Sequence, residues 1–337
     1  MVIFYLDLFW GLVMVKLEDI KEAQGAIAGY AKHTPLNRSK KISDLTGANV
    51  YLKLENLQVT SSFKVRGVTN KLLHLSEEQK AQGVVTASAG NHGQAVAYGA
   101  SKLGFSAKIV VPINTPKVKV DGIKQYGVDL LLYGETYPEA EKEAKELAQS
   151  EGRLYISPYN DELIVAGHGT AGLEILEDLP NVDVVLVPVG GGGLIAGIST
   201  AIKSLQPEVQ VIGVQSAATP IMYESLRAGK IVPAHRHDPR TIAEGLAGGI
   251  EKGSITFAIA QQYVDEVALV REETLRKAVY LLCQEEAQKV EGSGAAGIAM
   301  LLENKDAFDG LNVVCVVSGG NIDDSVLQSI LASEGDN

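Results

Sequence analysis

Along the chain, apolar positions recur first at helical spacing and then in a regular alternation of strand and helix patterns. Leu17, Ile20, Ala23 and Ile27 fall on one face behind acidic residues, which predicts an amphipathic helix over 17–28. His33-Thr34-Pro35-Leu36 breaks it. Val50, Leu52 and Leu54 alternate with polar residues over 49–54, a strand pattern, and a helix is expected over 64–75. From Gly83 strands are predicted over 84–87, 107–111, 128–132 and 154–156, separated by helices over 94–103, 117–126 and 137–150. Strict alternation with short links implies right-handed crossovers and a small parallel sheet. A second series places strands over 182–189, 209–214, 266–270 and 313–317, with helices over 195–205, 221–228, 273–289, 294–302 and 322–331. The near-continuous valine and leucine of 182–189 suit a strand buried on both faces of a larger sheet, and 231–249 reads as a loop. The pattern therefore predicts an α/β chain. A large, mostly parallel unit would comprise 14–80 and 158–337, a smaller inserted parallel-sheet unit 81–157, and an extension 1–13.

Composition narrows the partner. In 337 residues, 46% hydrophobic content supports a sizeable core, and a net charge of -11 with a pI near 5.1 repels nucleic acid and anionic membranes. A small molecule is the natural partner. Cys283 and Cys315 sit in apolar runs without metal-ligand spacing, which suits small buried hydrophobes in the reducing cytoplasm. The apolar start is too short to span a bilayer and lacks a basic beginning, so Met14 is the expected functional start and no export signal is read. His235 and His237 lack a third ligand, and no metal is expected.

Four short stretches carry candidate chemistry. In Ser61-Ser62-Phe63-Lys64-Val65-Arg66-Gly67, apolar neighbours would lower the Lys64 ammonium pKa and free an amine able to form a Schiff base; a surface lysine at a strand-to-helix turn is the alternative. Gly190, Gly191, Gly192 and Gly193 follow a strand and precede a helix, the setting of a phosphate cradle as well as of a hinge. Residues 191–196 also fit G-x-G-x-x-A. The next strand, however, ends before Gln215, where a dinucleotide site would place a carboxylate. Ser88-Ala89-Gly90-Asn91-His92-Gly93 offers backbone donors and the Ser88 and Asn91 side chains to a carboxylate or ring hydroxyl, or serves as a helix cap. Ser318-Gly319-Gly320-Asn321 puts a hydroxyl at the carboxyl end of another strand, where ligands collect.

Taken in order, these four motifs resemble the pyridoxal-phosphate-dependent serine/threonine dehydratase family, which has serine racemases among its relatives. His33-Thr34-Pro35-Leu36, Gly167-His168-Gly169-Thr170, Thr241-Ile242-Ala243-Glu244-Gly245 and Glu291-Gly292-Ser293-Gly294 extend the resemblance over nearly the whole chain. It implies a tryptophan-synthase-β-like fold, fold type II, and pyridoxal 5'-phosphate as cofactor. Lys64 would bind the cofactor aldehyde, Phe63 lie against its ring, Asn91 meet the ring oxygen and Ser318 the pyridine nitrogen. Gly190, Gly191, Gly192 and Gly193 would hold the phosphate, while Ser88, Ala89, Gly90, Asn91 and His92 bind the substrate carboxylate. The implied reaction converts L-threonine or L-serine to a 2-oxo acid and ammonia, in a homodimer or homotetramer. A hydroxyl opposite the pyridine nitrogen makes the ring a weaker electron sink than an aspartate would, favouring prompt β-elimination.

The chain departs from its relatives at several points. Ala89 stands where serine racemases carry the acid serine, which argues against racemisation. Gln215 and Ile221 replace the carboxylates of metal-binding relatives. His168 stands for a common glutamine, and Ser61 for a common glycine. The chain stops one helix after Ser318, so no C-terminal regulatory domain or isoleucine feedback is expected. The competing readings are a racemase or β-replacement enzyme on the same cofactor, and a dinucleotide-binding protein.

Overall fold

A computed structural model describes residues 15–234 and 240–335. The extension over 1–13, the start at Met14 and the pair His235 and His237 lie outside the described residues. The chain opens with α1 (Leu17–Ala26), β1 (Leu36–Arg38), α2 (Lys40–Thr46), β2 (Asn49–Lys53), α3 (Lys64–Leu73) and α4 (Glu77–Gln82). There follow β3 (Val84–Ala87), α5 (Asn91–Leu103), β4 (Ala107–Val111), α6 (Lys117–Lys124), β5 (Asp129–Leu132), α7 (Tyr137–Glu151) and β6 (Leu154–Tyr155). The second half runs α8 (Glu162–Asp178), β7 (Val184–Pro188), α9 (Gly193–Leu205), β8 (Gln210–Ser216), α10 (Ile221–Ala228) and α11 (Ile255–Tyr263). It ends with β9 (Glu266–Val270), α12 (Glu272–Glu285), α13 (Ala296–Glu303), β10 (Asn312–Val316) and α14 (Asp324–Gly335).

Two sheets result. One has the order β1-β2-β10-β7-β8-β9, parallel except for β1 on β2; the other is the parallel β5-β4-β3-β6. The larger sheet is buried on both faces, as the runs of valine predict. Val184 and Leu186 join one core with α12 and α13, and Val185 and Val187 join another with α9 and α11. In the smaller sheet, Val84 packs under α5 and α6, while Val85 packs under α7.

The main difference from the sequence pattern is α8, a buried helix where no element is predicted. Its glycines and its lack of a polar face hide it, and both have one cause: it is enclosed by α3 and α9. A Cβ on Gly167 would lie 2.6 Å from the Gly67 Cα, and one on Gly197 would lie 2.4 Å from the Val165 carbonyl. Asp161 caps α8 by accepting from the Leu163 and Ile164 N–H groups. Of the other unpredicted helices, α2 and α4 carry signals in plain view, Ser39 capping α2 and Ser76 with Gln79 forming a capping box on α4, whereas α11 has no side-chain cap. The helix predicted over 273–289 stops at Glu285, because Ala287 takes a left-handed φ of 53° and the Gln288 N–H closes onto the Leu282 carbonyl. Cys315 is buried as expected, whereas Cys283 is only half-buried.

Candidate active site

Lys64 is the first residue of α3, and the turn before it is fastened to the strand end after β10. Ser61 adopts a left-handed φ of 55°, its carbonyl accepting from the Gly320 N–H at 2.9 Å, while the Phe63 N–H donates to the Ser318 carbonyl at 3.1 Å. Lys64, Phe63 and the buried Ser318 are thereby brought into one corner. Two residues on, buried Arg66 fixes the first turn of α3 from below. Its guanidinium pairs with Glu55 at 2.7 Å and with Glu174 at 2.6 Å, and Glu174 also holds the buried Lys53 at 2.7 Å. The Lys64 amine donates to the Pro158 carbonyl at 2.7 Å and lies 5.1 Å from the centre of the Phe63 ring. Burial pulls its pKa down to about 8, against the opposing pull of the Glu291 carboxylate. A helix N-terminus also disfavours a cation there. The other edge of Phe63 meets the buried His168 ring, 4.7 Å between centroids.

Gly190, Gly191, Gly192 and Gly193 link β7 to α9. The first intrahelical bond of α9 runs from the Ala196 N–H to the Gly192 carbonyl, so the N–H groups of Gly193, Leu194 and Ile195 have no partner within the helix. Side chains are excluded from this loop by its surroundings. A Cβ on Gly190 would come within 2.7 Å of the Gly245 carbonyl and one on Gly191 within 2.4 Å of the Tyr159 ring, while Gly192 sits at φ 88°. Together these make a tight concave run of donors at a positive helix end, suited to a phosphate.

The segment 88–93 follows β3, and α5 begins at Asn91, three residues before the helix predicted from 94. The N–H groups of Asn91, His92 and Gly93 are therefore open first-turn donors, and the Ser88 hydroxyl braces the turn by accepting from the Gly90 N–H. Ala89 and Gly90 are partly exposed beside them. The His92 side chain, by contrast, is buried under the small sheet, Nε2 3.1 Å from both the Thr86 hydroxyl and the Ile156 carbonyl. Burial and then the Lys64 charge lower its pKa to about 3, so it is a neutral structural imidazole that leaves only its main-chain N–H to the cleft.

The Asn91 amide reaches across to the large sheet, donating to Glu291 at 2.8 Å and accepting from Asn321 at 2.6 Å. Glu291 lies against Gly319, beside Ser318, and burial raises its carboxyl pKa to about 7. A cavity of about 320 Å³ lined by Lys119, Gly245, Glu291, Ser293 and Asn321 borders this cluster without taking in Lys64. Glu291, Pro158 and Tyr159 are site residues that motif reading passes over. The first is visible only as the acid that opens Glu-Gly-Ser-Gly, and the other two only through the folded chain. Gln215 is fully used in the scaffold, accepting from the Met222 and Tyr223 N–H groups at 3.1 Å and donating to the Val189 carbonyl.

A lowered-pKa lysine, a glycine loop at a helix start and a buried serine, gathered near the carboxyl ends of β2, β7 and β10, suit an enzyme with a phosphorylated aldehyde cofactor. The comparisons agree. Residues 27–319 match the family model described as pyridoxal-phosphate dependent enzyme. An L-threonine ammonia-lyase of Thermotoga maritima is 46% identical, the match covering 94% of this chain and 78% of that protein. The processed form of threonine deaminase isoform 2 from Solanum lycopersicum superposes with a TM-score of 0.90 at 37% identity, covering 95% of this chain and 88% of that one. Maize serine racemase gives a TM-score of 0.88 at 33% identity, covering 96% and 98%. The chain belongs to the pyridoxal-phosphate-dependent enzyme family, with the fold of its type II members. The residues present fit the group: the cradle that a Cβ would fill is suited to its phosphate, and the depressed lysine to its aldehyde.

Proposed function

We propose that this chain is an ammonia-lyase of L-threonine, L-serine or both, removing the β-hydroxyl as water and yielding 2-oxobutanoate or pyruvate with ammonia. The observation that carries this reading is the Lys64 amine, held near pKa 8 in a relative of threonine ammonia-lyases. Pyridoxal 5'-phosphate, when bound, supplies an aldehyde for the substrate amine and a ring that withdraws electrons from Cα. Lys64 would hold that aldehyde at rest and, once displaced by substrate, take the α-proton as general base. The Pro158 carbonyl is placed to orient the freed amine. The N–H groups of Asn91, His92 and Gly93, with Ser88, would bind the substrate carboxylate. Gly190 to Gly193 would hold the phosphate, Phe63 and Asn91 the ring, and Ser318 its nitrogen.

Ala89, at the turn, has no proton to deliver to a second face of the substrate, which supports elimination over racemisation. The division into a large unit of 14–80 and 158–337 around a small one of 81–157, a cytoplasmic location and a homodimer or homotetramer complete the proposal. No helix among the described residues is long and apolar enough to cross a membrane. The test is a panel of 3-hydroxy amino acids assayed for 2-oxo acid, ammonia and inverted substrate. Equal yields of 2-oxo acid and ammonia from threonine or serine are expected. D-serine formed faster than pyruvate would favour a racemase and overturn the reading.

A further inference from the structure

We propose that Tyr159 and Asn160, on the crossover from β6 to α8, are positioning residues that clamp the glycine loop in its phosphate-binding form; this rests on reading Gly190 to Gly193 as the phosphate cradle. The Tyr159 ring covers Gly191 so closely that a Cβ there would meet three ring carbons at 2.4 to 2.6 Å, and a Cβ on Gly193 would lie 3.0 Å from the Tyr159 Cβ. The phenol is pinned at its far end, donating to the Gly249 carbonyl at 3.3 Å and accepting from the Glu251 N–H at 3.0 Å. Asn160 secures the same neighbouring segment. Its Nδ2 donates to the Glu251 carboxylate at 2.9 Å, and its Oδ1 accepts from the Ile255 N–H at 3.1 Å. Ile255 begins α11, whose next residue, Thr256, donates its hydroxyl to the Gly191 carbonyl at 2.7 Å.

Gly191 is therefore held at its Cα by the Tyr159 ring and at its carbonyl by a hydroxyl that Asn160 locates. The physical need is plain. Four consecutive glycines have the most backbone freedom to lose and no side chains with which to hold themselves. An anion that had to order them would bind with the ordering entropy subtracted. A clamp supplied by another part of the chain removes that cost before the phosphate arrives. Because the adjacent Pro158 carbonyl accepts from Lys64, the same crossover touches both the aldehyde and the phosphate ends of the site.

The test compares the affinity of the cofactor-free protein for pyridoxal 5'-phosphate with that for pyridoxal, which lacks the phosphate. Binding is followed by visible absorbance, and folding is checked by circular dichroism. Wild type is expected to prefer the phosphorylated form. Tyr159→Phe, which loses only the hydroxyl, is expected to cut that preference at least about fivefold by stranding the Glu251 N–H. Tyr159→Ala should cut it further, with pyridoxal affinity falling less than pyridoxal 5'-phosphate affinity in both. If Tyr159→Ala does not fold, Tyr159→Phe decides the matter. A wild type with no preference would overturn the cradle reading itself. A preference kept by the variants, or both affinities falling together, would overturn the clamp alone.

Discussion

Lys64 and Glu291 act on each other's titration, and the signs make a prediction. Burial lowers the lysine to about 8, while the Glu291 charge opposes that shift; burial raises Glu291 to about 7, with Lys119, Glu244 and Lys64 also acting on it. Capture of pyridoxal 5'-phosphate by the cofactor-free protein needs a neutral amine, so its rate should rise with pH through about 8. Glu291→Gln removes the charge that holds the lysine up and should move that midpoint to lower pH; stopped-flow absorbance measures it, and a midpoint that stays or rises contradicts the coupling. Glu291 also enters the stability profile. Its stabilisation is full below its unfolded value of 4.5 and is lost as pH rises through about 7, because the folded chain retains a proton that the unfolded chain has released. Ser61 carries a different load. At φ 55° it occupies a backbone region that favours glycine. Ser61→Gly should keep turnover and leave stability level or up to about 1 kcal/mol higher by urea titration.

At the scale of elements, every described strand except the short edge strand β1 was legible, and the tightest helix was not. The β7 run of Val184-Val185-Leu186-Val187 announces a doubly covered strand, and the glycine stretch after it announces a helix start. The motif chemistry followed from this, because strand ends followed by glycine turns are local features. Helix α8 was illegible for the opposite reason: Gly167, Gly169 and Gly172 lower helix propensity, and burial on every side from Ile164 to Leu176 erases the period. Only packing against α1, α3 and α9 makes those glycines necessary. Gly197→Ala should therefore cost about 1 to 3 kcal/mol, since its Cβ would press on the Val165 backbone rather than on a flexible side chain. A chemical denaturation midpoint equal to wild type would show that the two helices can separate freely. The His92 side chain and the Tyr159 clamp were likewise out of reach of motif reading, because each is decided by what lies across the fold.

For the whole molecule, the two sheets meet through contacts that also build the site. The Asn91 amide bridges from the small sheet to Glu291 and Asn321, and α8 carries the crossover from β6 back beneath α3. Arg66 ties β2, α3 and α8 into one buried network with Glu55, Glu174 and Lys53. Arg66→Met would take the guanidinium from two buried carboxylates, leaving Glu174 to Lys53 alone, and should cost about 3 to 5 kcal/mol, read as a lowered thermal or urea midpoint. The network holds the first turn of α3, and with it Lys64. The most direct measurement is borohydride reduction of the purified holoenzyme followed by peptide mass mapping. The reduced cofactor is expected on the peptide containing Lys64 and on no other lysine; a label on a different lysine, or none, would contradict the role of Lys64.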